Sequence, residues 1–238
     1  MRDIPVLDKG FVRLIESMGG DAGVLQAARV SFAGSSKGEV ADRRLIEYLL
    51  KHQHLTPFEH AVLKFHVKAP IFVARQWFRH RFGAYNEISF RYTTPSEDFY
   101  TPESFRAQDQ KNKQGSVAAP SLDQEGLRRS FAASVDLAFK TYHGMVEAGV
   151  AREMARMVLP VTVYTEFFWT VNARSLMNFL WLRADAHAQP EIQRYAEALS
   201  EGFAQTCPWT YAAFLSHLWT GKNAKLDAEK DRLCSASS

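Results

Sequence analysis

Apolar residues recur with helical spacing over residues 39–52 (EVADRRLIEYLLKH), where Leu45, Ile46, Leu49 and Leu50 share a face, and the pattern predicts an amphipathic helix. Residues 61–68 (AVLKFHVK) alternate apolar and polar, the period of a strand with one buried face. Pro70 falls where a helix can begin without losing a hydrogen bond, and that helix runs to about Arg79. NEISFRYTT (86–94) alternates again and predicts a second strand. TVYTEFFWTV (162–171), β-branched and aromatic, predicts a third. Near the N-terminus, Phe11, Leu14 and Ile15 have helical spacing. A break at Gly19-Gly20 follows, then Val24, Leu25, Ala28 and Val30, and residues 31–39 (SFAGSSKGE) are a loop by composition.

The second half is mostly helical by the same criteria. A long helix is expected from about Ser121 to Val146, ended by Gly149. A short one (AREMARMVL) is stopped by Pro160, and three more run over 173–182, 190–205 and 208–219. Residues 106–126 are polar and poor in large apolar side chains, which predicts a mobile surface loop. The segment after Gly221 reads as a loose polar tail. Strand pairs mixed with helices, with no internal repeat, define an α+β class in which residues 1–220 form one domain and 221–238 the tail.

Composition narrows this little. The 238 residues are 46% apolar and 23% charged, an ordinary soluble globular balance, and the net charge of +3 does not by itself point to a nucleic-acid partner. No stretch approaches the roughly 18 apolar residues of a membrane span. The N-terminus lacks the apolar core of a signal peptide. Cys207 and Cys234 read as cytosolic thiols rather than a disulfide framework, so a cytoplasmic, membrane-free protein is expected.

The distribution of charge says more. Residues 75–92 (RQWFRHRFGAYNEISFRY) hold four arginines, one histidine and a single carboxylate, Glu87. Arg75 and Arg79 lie one helical turn apart, and Arg79, His80 and Arg81 are consecutive. Arginine is suited to phosphate because its planar fork makes two parallel hydrogen bonds. Gln76, Asn86, Glu87 and Ser89, interleaved with the arginines, suit a polar heterocycle beside a phosphate. Basic residues at a helix C-terminus also serve the helix dipole, so a solvated surface is the competing reading of the charges alone. Arg152 and Arg156 in AREMARMVLP, and Asn172, Arg174, Asn178 and Arg183 in VNARSLMNFLWLRAD, punctuate otherwise apolar segments. Glu153, Glu166 and Asp185 could neutralise these arginines internally. Three arginine-bearing apolar segments otherwise describe a site for a ligand with several anionic groups.

Several chemistries lack their motif. The chain has no GxGxxG, no P-loop, no GxSxG and no HExxH. His52, His54, His60 and His66 come without the cysteines or aspartates of a metal set, so no metal is expected. Neither cysteine neighbours an arginine cluster, which argues against a thiolate nucleophile. A single-strand nucleic-acid platform and a phosphohydrolase remain rival readings of the basic cluster.

RHRFGAYNEISFRY resembles the signature of the flavin-dependent thymidylate synthases, RHR followed by seven residues and a serine, here Arg79, His80, Arg81 and Ser89. HLTPFEH (His54 to His60), VKAPIFVARQWFRHR, VLPVTVYTEFFWTVNARSLMNFLWLRADAHAQPEIQ and CPWTYAAF extend the resemblance over roughly residues 40–215. The resemblance implies an α+β fold with a central antiparallel sheet flanked by helices. It also implies a homotetramer with sites at subunit interfaces, and reductive methylation of dUMP to dTMP with FAD, NADPH and 5,10-methylenetetrahydrofolate. By the same resemblance His54, Thr56, Arg79, His80, Arg81, Glu87, Asn172, Arg174 and Asn178 would bind FAD. Gln76, Arg79, Glu87, Ser89, Arg91, Arg156 and Arg183 would bind dUMP. Arg183 would be the catalytic residue, facing the uracil ring and stabilising its N3 anion. Ala84 departs from the family, many of whose members have serine there.

Overall fold

The computed structural model describes residues 2–31 and 34–236. Residues 32–33 of the expected 31–39 loop and the last two of the expected tail lie outside the described residues. Seven strands run β1 (Ile4–Val6), β2 (Gly10–Met18), β3 (Val62–Pro70), β4 (Ala84–Glu87), β5 (Ala107–Gln108), β6 (Ser116–Val117) and β7 (Tyr164–Asn172). The α-helices are α1 (Gly20–Val30), α2 (Glu39–Lys51), α3 (Ile71–Trp77), α4 (Gln124–Glu147), α5 (Arg152–Ala155), α6 (Ala173–Arg183), α7 (Pro190–Thr206), α8 (Pro208–His217) and α9 (Ala224–Ala236). Five strands form one antiparallel sheet in the order β1-β2-β3-β7-β4. The expected α+β class with a central antiparallel sheet is therefore present.

Alternation along β3 and β7 explains where the helices lie. Leu63, Phe65, Val67 and Ala69, with Phe167, Trp169 and Val171, are buried in the main core. Lys64, His66 and Lys68, with Glu166, Phe168 and Thr170, point to the opposite, half-open face. On the core side, α3, α6, α7 and α8 supply Trp77, Phe179, Tyr195 and Phe214.

Four expectations change. Phe11, Leu14 and Ile15 lie in a strand, because the register with β3 shifts between Leu14 and Glu16. The extra residue of that bulge moves apolar positions from period two to a spacing that mimics a helix. The second strand ends at Glu87, not at Thr94. Ser89 starts a turn there, its hydroxyl accepting from Arg91 N at 3.3 Å and its carbonyl from Tyr92 N at 3.1 Å. Residues 106–126 contain the β5–β6 hairpin. Arg106 ties it to the buried Glu191 of α7 through contacts of 2.8 and 3.0 Å. The polar composition of this segment satisfies its own backbone, since Gln108 Nε2 donates to the carbonyls of Lys113 and Gly115 at 3.0 Å each. The tail is α9, docked by the fully buried Leu226, and Asp227 accepts from Trp219 Nε1 at 2.8 Å.

The end of α2 carries strain. Gln53 has φ +57°, with its N–H on the Leu50 carbonyl (3.0 Å) and that of His54 on the Leu49 carbonyl (2.8 Å). This left-handed cap normally takes glycine. Replacing Gln53 by Gly should therefore raise the unfolding free energy, by up to about 1 kcal/mol, where most helix-end changes lower it. Chemical denaturation of the two proteins checks the sign.

Candidate active site

A cleft of about 870 Å³ opens between the turn after α3, the end of β7 with α6, and the 3-10 turn Thr56–His60. Arg79, His80, Arg81, Asn172, Arg174, Asn178 and Arg183 line it, so seven of the residues expected at a site meet in one place. α3 ends at Trp77, which is fully buried, and the chain turns off it with His80 N donating to the Trp77 carbonyl at 2.9 Å. The basic triplet is thus placed at the cleft mouth. On α6, Leu176, Met177, Phe179 and Leu180 face the core while Arg174, Asn178 and Trp181 form an exposed stripe. This helix is not buried all round, as its apolar sequence suggested. Trp181 is 46% exposed, and Leu182 is 43% exposed; both line the cleft.

The lining is strongly cationic. Arg79, Arg81, Arg174 and Arg183 face Glu59 as the one lining carboxylate, and Arg174 Nη1 meets Glu59 Oε1 at 2.6 Å. No hydrogen bond or ion pair joins the Arg79 or Arg81 guanidinium to another described residue. Arg183 donates through Nε to His80 Nε2 at 2.9 Å and through Nη2 to the Gln76 carbonyl at 3.5 Å. Since arginine can only donate, His80 is neutral with its proton on Nδ1. Burial, and secondarily the Arg183 charge, push the His80 imidazole down to about 4. Burial, and then the charge of Arg79, also hold the Arg183 guanidinium below its ordinary value. Cations converging on one cleft make it a favourable place for an anion.

The internal carboxylates weighed from the sequence do not serve this cleft. Glu153 pairs with Arg91 at 3.4 Å, Glu166 with His66 at 3.0 Å, and Asp185 with His187 at 2.6 Å. Asn172 caps α6, its Oδ1 accepting from Ser175 N at 2.8 Å. Burial, and then the charge of Asp21, push the Cys207 thiol up to about 12, which makes it no nucleophile. Among the described residues no group of three or more His, Cys, Asp or Glu side chains is placed to hold a metal.

Other expected residues lie elsewhere. His54 and Thr56 are exposed on the segment whose Gln53 and Leu55 line the cleft, so they sit beside it. Glu87 accepts from Thr165 Oγ1 at 2.7 Å outside the cleft lining. Ser89 and Arg91 form the turn after β4, and Arg91 reaches α5 through Glu153. Arg156, capping α5, is exposed with no side-chain partner among the described residues, beside Met154 and Met157, which are 49% and 66% exposed. The Gln76 amide hydrogen-bonds the Gln189 side chain. Sequence reading missed Gln53, Glu59, Ser175, Phe214 and Leu218 in the lining. Glu59 was within reach, because it lies in HLTPFEH; Phe214 and Leu218 arrive from α8 and its C-terminal end by tertiary packing alone.

Fold and cleft together define an α+β protein in which a central antiparallel sheet and its helices present a cleft with a strongly cationic lining. The family model described as "Thymidylate synthase complementing protein" matches residues 13–209. The flavin-dependent thymidylate synthase of Thermotoga neapolitana is 52% identical over 218 residues, covering 92% of this chain and 96% of that one. That of Thermus thermophilus is also 52% identical, covering 92% and 80%. A crystal structure of the UMP/dUMP methylase PolB from Streptomyces cacaoi, bound with 5-Br UMP, superposes with a TM-score of 0.81 at 35% identity over 92% of this chain and 99% of that one. The chain belongs to the flavin-dependent thymidylate synthase family.

The His80–Arg183 contact has a measurable consequence. The native protein holds His80 neutral, so between its ordinary value of 6.5 and about 4 the unfolded chain takes up a proton that the native chain refuses. Stability from this group is complete above that window and declines as pH falls through it. In a histidine-labelled NMR titration the His80 ring should titrate near pH 4; a midpoint near 6.5 would show that Nε2 does not accept from Arg183.

Proposed function

We propose that the cleft binds FAD and that the protein methylates dUMP to dTMP, with 5,10-methylenetetrahydrofolate as carbon donor and NADPH as reductant. The observation carrying this reading is a cleft lined, among the described residues, by four arginines and one carboxylate, in which the Arg79 and Arg81 guanidiniums have no hydrogen-bond or ion-pair partner among those residues. Its size and its mixture of guanidinium, amide and aromatic groups suit a dinucleotide. Arg79, Arg81 and Arg174 would hold the diphosphate, and Asn172 and Asn178 the polar ring edges. His80 would orient Arg183, with His54, Thr56 and Glu87 at the margin. Bound flavin supplies the reducing equivalents, so the chain's own work is to bind, orient and polarise. Arg183 would face the uracil ring, where a guanidinium already crowded by Arg79 favours the N3 anion.

The positions of the dUMP residues support a homotetramer. Ser89, Arg91 and Arg156 lie outside the cleft formed by their own chain, and Arg156 and the methionines beside it are exposed. A neighbouring subunit would bring that cluster to the Gln76–Arg79–Arg183 side of another copy, giving a phosphate site built from two chains. The same surface would be buried there, away from nucleic acid and membrane. Among the described residues no helix is long and apolar enough to cross a membrane.

The test is a visible spectrum of the purified protein, then anaerobic NADPH, then dUMP or UMP with methylenetetrahydrofolate. Flavin absorption that bleaches and returns as a methylated nucleotide appears is the expected outcome. A colourless protein that takes up no added FAD overturns the reading.

Two substitutions separate the roles. Arg183→Ala should lower turnover by about 10²–10³-fold with flavin content unchanged, since its contribution is to charge developing at the pyrimidine. Arg79→Ala should weaken both FAD and dUMP, read by equilibrium dialysis of each; unchanged dUMP affinity removes Arg79 from the nucleotide site.

A further inference from the structure

The C-terminal segment touches the chain immediately after Arg183. Lys222 N donates to Asp185 Oδ2 at 2.9 Å, and Ala186 N donates to the Lys222 carbonyl at 2.9 Å. Trp181 Nε1 donates to Thr220 Oγ1 at 3.1 Å. Asn223 Nδ2 donates to the Ala184 carbonyl at 3.0 Å and to Glu197 Oε1 at 2.9 Å. The approach is close: a Cβ added at Gly221 would stand 2.8 Å from Asp185 Oδ2 and 2.5 Å from the Trp219 ring. Residues 220–223 therefore form a strap across the end of α6.

Asn223 does two jobs that need different atoms. Its Oδ1 accepts from Lys225 N and Leu226 N, both at 3.1 Å, which caps α9. Serine, threonine and aspartate cap helices about as well, because capping needs only an oxygen. The bond to Ala184 needs an N–H donor on the same side chain, and the residue is buried at 7% exposure. An amide supplies both from separate atoms, Nδ2 donating twice while Oδ1 accepts twice, whereas a hydroxyl has one shorter-reaching oxygen and a single proton. Ala184 is fully buried and directly follows the arginine whose guanidinium is aimed by His80 and the Gln76 carbonyl.

We propose that Asn223 is a positioning residue for Arg183, and that the C-terminal strap orients the reactive end of the cleft. The proposal rests on the reading above, in which Arg183 acts on the nucleotide. Asn223 touches no part of the cleft lining and works through the Ala184 peptide. A strap that shifts when that bond is lost lets the α6 terminus move, and sub-ångström placement of a charged group weighs on turnover more than on fold.

Asn223→Ser keeps a capping oxygen and removes the Nδ2 donor that reaches Ala184, since the hydroxyl proton sits on the shorter side chain's capping atom. Leu226→Ala weakens α9 from its buried side and leaves that donor in place. At a temperature well below both unfolding midpoints, Asn223→Ser should lower kcat about tenfold with flavin content unchanged, whereas Leu226→Ala should lower the midpoint and keep kcat. In an Arg183→Lys background, Asn223→Ser should add less than about twofold, the non-additivity of residues acting through one contact. Wild-type kcat in Asn223→Ser, a parallel loss in Leu226→Ala, or a full tenfold effect beside Arg183→Lys overturns the proposal. The Arg183 Nε–H resonance in ¹⁵N-arginine-labelled protein gives a readout independent of turnover. Faster solvent exchange in Asn223→Ser supports the strap even if the wild-type chain methylates nothing, and equal protection in both proteins overturns it.

Discussion

Trp77 is fully buried at a meeting of four rings, with centroids 5.3 Å from Phe167, 5.3 Å from Trp169, 4.8 Å from Phe179 and 5.8 Å from Tyr195. Those rings belong to β7, α6 and α7, so this cluster fixes the end of α3 against three other elements. Each such pair adds roughly 0.5–1.5 kcal/mol beyond its buried area, and the edge-to-face contacts constrain angles as well as distances. The Trp77 indole N–H has no hydrogen-bond partner among the described residues, a cost accepted where the surroundings are aromatic. Two residues beyond it the chain emerges as Arg79-His80-Arg81. The cleft is cationic because the sequence places arginines there, and it is a cleft because Trp77 anchors the turn that carries them.

From that anchor follows the electrostatic character of the site. Arg183 is brought to His80, which must then be neutral, and towards Arg79, which repels it. Among the described residues the fold holds these groups together with Glu59 on Arg174 as the one counter-charge lining the cleft. The stability of the core is thus used to keep like charges converged, a common arrangement where a ligand completes the charge balance. The strap at residues 220–223 packs against the same C-terminal end of α6 that carries Arg183.

Much of the fold was legible from pattern alone. α2, β3, β7, α6, α7 and α8 fall within a few residues of their expected bounds, because each has a clean period and a proline, glycine or polar boundary. β2 was misread because a bulge breaks period two. The end of β4 was misread because Ser89 closes a turn inside an alternating stretch. The hairpin in 106–126 and the helix after Gly221 were missed for one reason: their order comes from contacts with distant residues, such as Arg106 to Glu191 and Leu226 to the core, which local composition does not encode.

The sequence by itself determined which side chains are available for the chemistry. Consecutive basic groups, arginines in apolar segments and the RHR pattern are local facts, and they name the family without any coordinates. Tertiary structure alone decided which of those residues share a site. Residues 79–81 and 172–183 are far apart in the chain and meet because β7 pairs beside β3 and the Trp77 rings interlock. Arg91 and Arg156 carry the same kind of side chain, yet the path of β4 and α5 places them, with Ser89, outside that cleft. Residue type follows from covalent chemistry written in the sequence; convergence depends on strand register and packing, which only the folded chain possesses.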